Sequence, residues 1–178
     1  MGFEIIDFED IFKGKVFNVR RDSVRYPGGR VLKLDVIDHR GSVSILPIDE
    51  QGQVWFIRQY RHPAGEVLLE LPAGVMDEGE TPEGSALREL REEIGMTAGK
   101  LRRVGEFYLA PGYSTEYMYV FLALGLTPDP LQADEDESIS IEKIPVQQIY
   151  SRAVFGQLRD AKSLAALFLA WEYINFGD

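Results

Sequence analysis

The chain has 178 residues, 45% of them hydrophobic, with no cysteine and a formal net charge of −10. That length fits one compact domain with a real core. The missing cysteine excludes disulfides and cysteine–zinc centres, and the acidic balance argues against a basic nucleic-acid-binding surface. Met1 to Lys15 mixes acidic and apolar residues and does not read as a signal peptide. No apolar run approaches the ~20 residues a membrane span needs. The expectation is a cytoplasmic protein that engages neither nucleic acid nor membrane.

Val16 to Asp38 holds two strand-like runs around the turn Tyr26-Pro27-Gly28-Gly29. Val43 to Ile48 and Val54 to Tyr60 flank Asp49-Glu50-Gln51-Gly52 and read as a hairpin. Val67 to Leu71 is a short apolar strand closed by Pro72. The clearest helix follows: Thr81 can cap it, Pro82 suits its first position, Glu83 suits its positive end, and Gly95 stops it. Leu87, Leu90 and Ile94 recur at helical spacing and are expected in the core. Strand-like runs at Leu101 to Leu109 and Tyr117 to Leu124 are joined by Ala110-Pro111-Gly112-Tyr113-Ser114-Thr115. Thr127 to Glu137 reads as an acidic loop and Ser138 to Ile144 as a further strand. Pro145 to Phe155 reads as a short helix stopped by Gly156. Asp160 caps a last helix whose stripe of Leu164, Leu167, Phe168, Trp171 and Ile174 is expected to pack in the core. The order predicts a mixed α/β domain, and neither a repeat nor a low-complexity linker interrupts it.

The acids are clustered, seven between Asp77 and Glu93 and five between Asp129 and Glu137. Glu89, Glu92 and Glu93 stand at i, i+3 and i+4, so a helix projects them from one face. At about 100° per residue that face lies roughly 130° from the stripe of Leu87, Leu90 and Ile94. Three crowded carboxylates repel one another unless a cation joins them, and hard divalent ions such as Mg²⁺ or Mn²⁺ prefer oxygen ligands. The bland alternative is a solvated charged face offset by Arg88 and Arg91.

The surrounding pattern decides between them. Gly74, then Glu80, then Arg88-Glu89-Leu90-Arg91-Glu92-Glu93-Ile94-Gly95-Met96 resembles the Nudix box at every specified position. Beyond the box, Gln59-Tyr60-Arg61, Glu70-Leu71-Pro72-Ala73-Gly74, Pro111 to Glu116, Asp136-Glu137-Ser138-Ile139 and Asp160-Ala161-Lys162-Ser163 resemble segments of ADP-ribose pyrophosphatases. The resemblance implies a Nudix α/β/α sandwich over residues 46–178, with an N-terminal β extension at residues 1–45 that pairs in a homodimer. It implies a nucleotide hydrolase that uses two or three Mg²⁺ ions, with Mn²⁺ as an alternative, and converts ADP-ribose to AMP and ribose 5-phosphate. Metal ligands would be the Ala73 carbonyl, Glu89, Glu92 and Glu93, with Arg88 orienting the glutamates. Gly74 and Gly95 would serve backbone geometry, and Glu80 would support the site or its loop. The catalytic base would be Glu135 or Glu137 of the late acidic loop or one of the box glutamates, and Glu92 and Arg88 are counted among the catalytic residues. Arg61, Glu70 and Glu116 would contact substrate, and Phe17 or Arg21 the nucleotide of a partner subunit. Two other functions compete. One is hydrolysis of a nucleotide sugar or a dinucleoside polyphosphate. The other is a silent nucleotide-binding module, against which the intact box carboxylates argue.

Overall fold

The computed structural model describes residues 2–132 and 138–176. The chain divides into two compact units, Met1–Gly41 joined by Phe107–Tyr117, and Ser42–Glu106 joined by Met118–Asp178.

In the first unit β1 (Glu4–Lys13), β2 (Phe17–Arg25) and β3 (Val31–His39) form an antiparallel meander in that order. The expected turn joins β2 to β3: the Gly29 N–H donates to the Tyr26 carbonyl at 3.0 Å. Gly28 and Gly29 have φ of 94° and 88°, a left-handed backbone that selects glycine. The segment from Ala110 to Thr115 fastens to β3. The Ile37 N–H donates to the Tyr113 carbonyl at 2.8 Å, and the Thr115 N–H donates back to Ile37 at 3.0 Å. Every residue of β1 is exposed, Ile5, Phe8 and Phe12 included.

The second unit holds two sheets. β4 (Ser42–Pro47) lies between β7 (Ala73–Val75), antiparallel to it, and β9 (Tyr117–Pro128), parallel to it; β8 (Met96–Tyr108) flanks β9. β5 (Gln53–Arg61) lies between β6 (Glu66–Glu70) and β10 (Ile139–Pro145), antiparallel to both. Four helices complete it: α1 (Pro82–Glu93), α2 (Val146–Val154), α3 (Ala161–Leu169) and α4 (Trp171–Phe176). All six residues of β4 are buried, as a strand covered on both faces requires. Val43 and Ile45 join Ala86 and Leu90 of α1 and its C-cap Ile94, with Ile57, Phe121 and Ala123, in the core. α3 also packs on β4. Among the described residues no helix is long and apolar enough to cross a membrane.

The mixed α/β class holds, but three local expectations change. The turn at Asp49 to Gly52 forms, with the Asp49 carboxylate accepting the N–H groups of Gln51 and Gln53 at 3.0 and 2.9 Å. The strands on either side form no ladder beyond the isolated bridge between Ile48 and Val54 and enter different sheets. Leu87 is half-buried; Ala86 takes the core position beside Leu90. The C-terminal stripe is not core either. Ser163, Ala166 and Ala170 are buried, while Phe168 is 81% exposed and Leu164 and Trp171 are also exposed. Small side chains let a helix approach a sheet closely, so the large ones are turned away. They line, with Ile149, Tyr150 and Ala153 of α2, a cavity of about 360 Å³.

Candidate active site

The site is built on α1. The Thr81 hydroxyl accepts the Gly84 N–H at 3.1 Å and Pro82 opens the helix, so its start is fixed. Gly95, at φ 68°, ends it immediately after Ile94. Anchored by Ala86 and Leu90, the helix turns Glu89, Glu92 and Glu93 to one side. Glu89 and Glu93 are 8% and 7% exposed, so these carboxylates do not stand on an ordinary solvated face.

Arg88 gathers them. Its Nη1 donates to Glu89 Oε1 at 2.7 Å and to Glu92 Oε2 at 2.8 Å. Its Nε and Nη2 make a forked pair with Glu80 at 3.1 and 3.0 Å. Nη2 also reaches the Val75 carbonyl and the Ser85 hydroxyl, each at 3.2 Å. Burial alone would lower the Arg88 pKa, but the hydrogen bonds and charges of Glu80, Glu89 and Glu92 prevail and hold it above its ordinary value. The Arg88 fork in turn holds the Glu80 carboxyl below its usual range; partial burial opposes this and the Asp77 N–H assists.

The second wall is β7. Glu93 Oε2 accepts the Ala73 N–H at 2.9 Å. Gly74 leaves room for Glu89: a Cβ there would lie 1.9 Å from Glu89 Oε1. The two box elements, distant in sequence, therefore interlock through a missing side chain.

Residues 38–167 match the model of the NUDIX domain. The chain belongs to the Nudix family. A relative from Bacillus subtilis (strain 168), named ADP-ribose pyrophosphatase, is 35% identical over 89% of this chain and 87% of its own length. A GDP-mannose pyrophosphatase of Yersinia pestis (strain Pestoides F) is 32% identical over 80% of this chain and 75% of its own. A solved structure titled ADP compounds hydrolase superposes with a TM-score of 0.87 at 26% identity, covering 98% of this chain and 95% of that one. The protein is a Nudix pyrophosphohydrolase with the Nudix fold.

Nudix hydrolases use divalent cations, and the donor chemistry here suits one. Glu80, Glu89 and Glu92 share one guanidinium, Glu93 stands beside them on the Ala73 N–H, and all the atoms these four side chains offer a cation are hard oxygens. Among the described residues no three carboxylates or imidazoles already surround one point, because Glu89 and Glu92 turn to Arg88 and Glu93 to Ala73.

Arg61 ends β5 and forms a fork with Glu70 at the end of β6, Nε to Oε1 at 2.9 Å and Nη2 to Oε2 at 2.8 Å. The Arg61 pKa is raised by Glu70, with burial opposing and the charge of Glu93 adding to the effect. These two candidates thus belong to the same electrostatic neighbourhood as the box. Phe17, Arg21 and Glu116 belong to the first unit. Phe17 is exposed, and Arg21 pairs with Asp35 at 2.6 and 3.2 Å. Glu116 is half-buried, its N–H donating to the Ser114 hydroxyl at 3.1 Å. Glu135 and Glu137 lie outside the described residues. Sequence reading assigned no role to Lys162, which contacts the buried Glu70 carboxylate. Its only signal was its place between Asp160 and Ser163.

Proposed function

We propose that this Nudix hydrolase cleaves ADP-ribose to AMP and ribose 5-phosphate with Mg²⁺. The observation that carries the reading is the gathering of Glu80, Glu89 and Glu92 by Arg88, with Glu93 and Gly74 beside them. The ADP-ribose pyrophosphatase relative supports the substrate. Glu89, Glu92, Glu93 and the Ala73 carbonyl would hold two or three ions, which supply positive charge against the diphosphate and the charge developing as it breaks. Arg88 fixes Glu89 and Glu92 by charge-assisted hydrogen bonds beside the site, and arriving cations would draw these carboxylates, with Glu93, toward a shared centre. Arg61 grips the diphosphate with the part of its guanidinium that Glu70 does not occupy. A water oxygen forms a new bond to phosphorus, the bond from that phosphorus to the bridging oxygen breaks, and two phosphomonoesters leave. Glu135 or Glu137 takes the proton of the attacking water.

The first unit pairs with a second copy of the chain, which brings Phe17 or Arg21 to the partner's nucleotide. The exposed apolar side chains of β1 support this, since a lone chain gains nothing from displaying them. A nucleotide-sugar substrate is the second reading, favoured by the GDP-mannose pyrophosphatase relative.

The test is a panel of ADP-ribose, ADP-glucose, GDP-mannose, a dinucleoside polyphosphate and NADH with Mg²⁺ and a chelator control. AMP release from ADP-ribose should exceed the other rates, stop with chelator, and fall by at least about 100-fold in Glu92→Gln with the fold retained. Preference for GDP-mannose moves the specificity and leaves the hydrolase in place. Unchanged turnover in Glu92→Gln would refute the assignment of the site.

A further inference from the structure

Among the described residues of the second unit Glu70 is the most buried carboxylate, 1% exposed, and it pairs with two cations. Arg61 takes both of its oxygens in a fork. Lys162 donates to Oε2 as well and pairs with Asp160 at 3.0 Å. Asp160 is the cap of α3, accepting the N–H and the hydroxyl of Ser163. The Ser163 hydroxyl in turn accepts the Leu71 N–H at 2.8 Å. One turn at the start of α3 therefore grips both the Glu70 side chain and the backbone that follows it, two residues before Ala73.

A buried carboxylate with two cationic partners is a costly way to fill space, because each charge loses its hydration. Its effect is geometric. A lone arginine at a strand end samples many rotamers; a fork to a fixed carboxylate selects one. The Arg61 fork uses Nε and Nη2, which leaves Nη1 outside that pair. The anchor works only if Glu70 cannot swing with Arg61, and Lys162 prevents that swing. Lys162 also shares the charge of Glu70, so Arg61 is not fully neutralised toward an anion.

We propose that Lys162, carried by the Asp160–Ser163 turn, is a positioning residue that acts through Glu70 to set Arg61 for the diphosphate of the substrate. The inference rests on the reading of Arg61 as a substrate contact. It gives α3 a part in the reaction, through a chain of contacts and with no substrate contact of its own.

The test is steady-state kinetics with the best substrate of the panel, expected to be ADP-ribose, with thermal unfolding alongside. An interaction held in both ground and transition states changes KM and leaves kcat nearly alone. Lys162→Met should raise KM about tenfold, the size of one well-placed charge-assisted hydrogen bond, with kcat within about twofold. Lys162→Arg should recover most of the loss. Arg61→Gln should raise KM at least as much, and the double variant Arg61→Gln/Lys162→Met should be no worse than Arg61→Gln alone. Because Lys162→Met strands a buried charge, Glu70→Gln/Lys162→Met removes both charges together and should show the same KM rise in a folded protein. Wild-type KM in that folded pair, or additive losses in the Arg61 double variant, would overturn the positioning role while Arg61 kept its own. A wild-type KM in Arg61→Gln would instead sink the substrate reading, and the positioning role with it.

Discussion

Replacing Gly74 by alanine separates the fold from the site. The backbone offers no obstacle: Gly74 is a strand residue of β7 paired with Val43, and its φ is not positive. The added Cβ would lie 1.9 Å from Glu89 Oε1, 2.1 Å from its Cδ and 2.6 Å from Oε2, against ordinary contact from 3.4 Å. The nearest oxygen must therefore retreat by 3.4 − 1.9 = 1.5 Å. Glu89 is the far end of a flexible side chain, so the fold can yield. Overpacking costs about 1–3 kcal/mol, and the stiffer unfolded chain returns about 0.4–1 kcal/mol. The net is a fall in Tm of several degrees, at roughly 2–4 °C per kcal/mol for a chain of this size. The site has no such tolerance. A retreat of this size breaks the 2.7 Å bond from Arg88 Nη1, and a displacement of about 1 Å in a catalytic constellation can cost ~100-fold. The expected result is a kcat for ADP-ribose lowered at least about 100-fold in a protein still folded at the assay temperature, with a raised Mg²⁺ requirement. The assays are initial rates across a Mg²⁺ titration and thermal unfolding of the same sample. A kcat within threefold of the parent would refute the claim that Glu89 needs the space Gly74 leaves.

Two further expectations concern stability and assembly. Burial raises the Glu70 pKa but is outweighed by the hydrogen bond from Arg61 and the charge of Lys162, so the carboxyl stays below its ordinary 4.5; its stabilisation is complete above that value and is lost as pH falls through the lower folded one. Urea midpoints of Glu70→Gln should thus lie below the parent at neutral pH and converge with it only as pH falls below 4.5 and through the lowered folded pKa, whereas parallel curves would contradict the depressed carboxyl. Sedimentation should give twice the 20.1 kDa chain mass, and Phe8→Glu with Phe12→Glu should shift the protein to monomer; a parent sedimenting at the single-chain mass would remove the homodimer.

The residues that proved legible are those whose signal is local. Thr81, Pro82 and Gly95 bound α1 because capping and helix-stop chemistry act within one turn. The i, i+3, i+4 spacing alone puts Glu89, Glu92 and Glu93 on one face. The strands failed where pairing is distant. Ser42 to Pro47 is buried on both faces, so it carries no alternation that could reveal a partner, and a tight turn before Gln53 invites the hairpin reading. The actual partners are β7, antiparallel, and β9, parallel and encoded far along the chain. The stripe from Leu164 to Ile174 misled for a related reason. Periodicity locates an apolar face but not which face a sheet accepts, and here Ser163 and Ala166 fit where Phe168 would not.

The same limit explains why Lys162 went unread. Its partner Glu70 is 92 positions away, and nothing in a charge pattern shows that two ions separated so far will meet in a buried place. What betrays the pairing is burial itself. A carboxylate that is 1% exposed must be answered by cations, and once Arg61 is one of them the second has to come from whichever element packs on that end of β6. The segment Asp160-Ala161-Lys162-Ser163 supplies that cation from the turn whose cap and hydroxyl also hold the backbone at Leu71. The box glutamates and α3 thus hold neighbouring points of one short stretch, α3 at Glu70 and Leu71 and Glu93 at Ala73. A change at the start of α3 should be read at the substrate before it is read in the core.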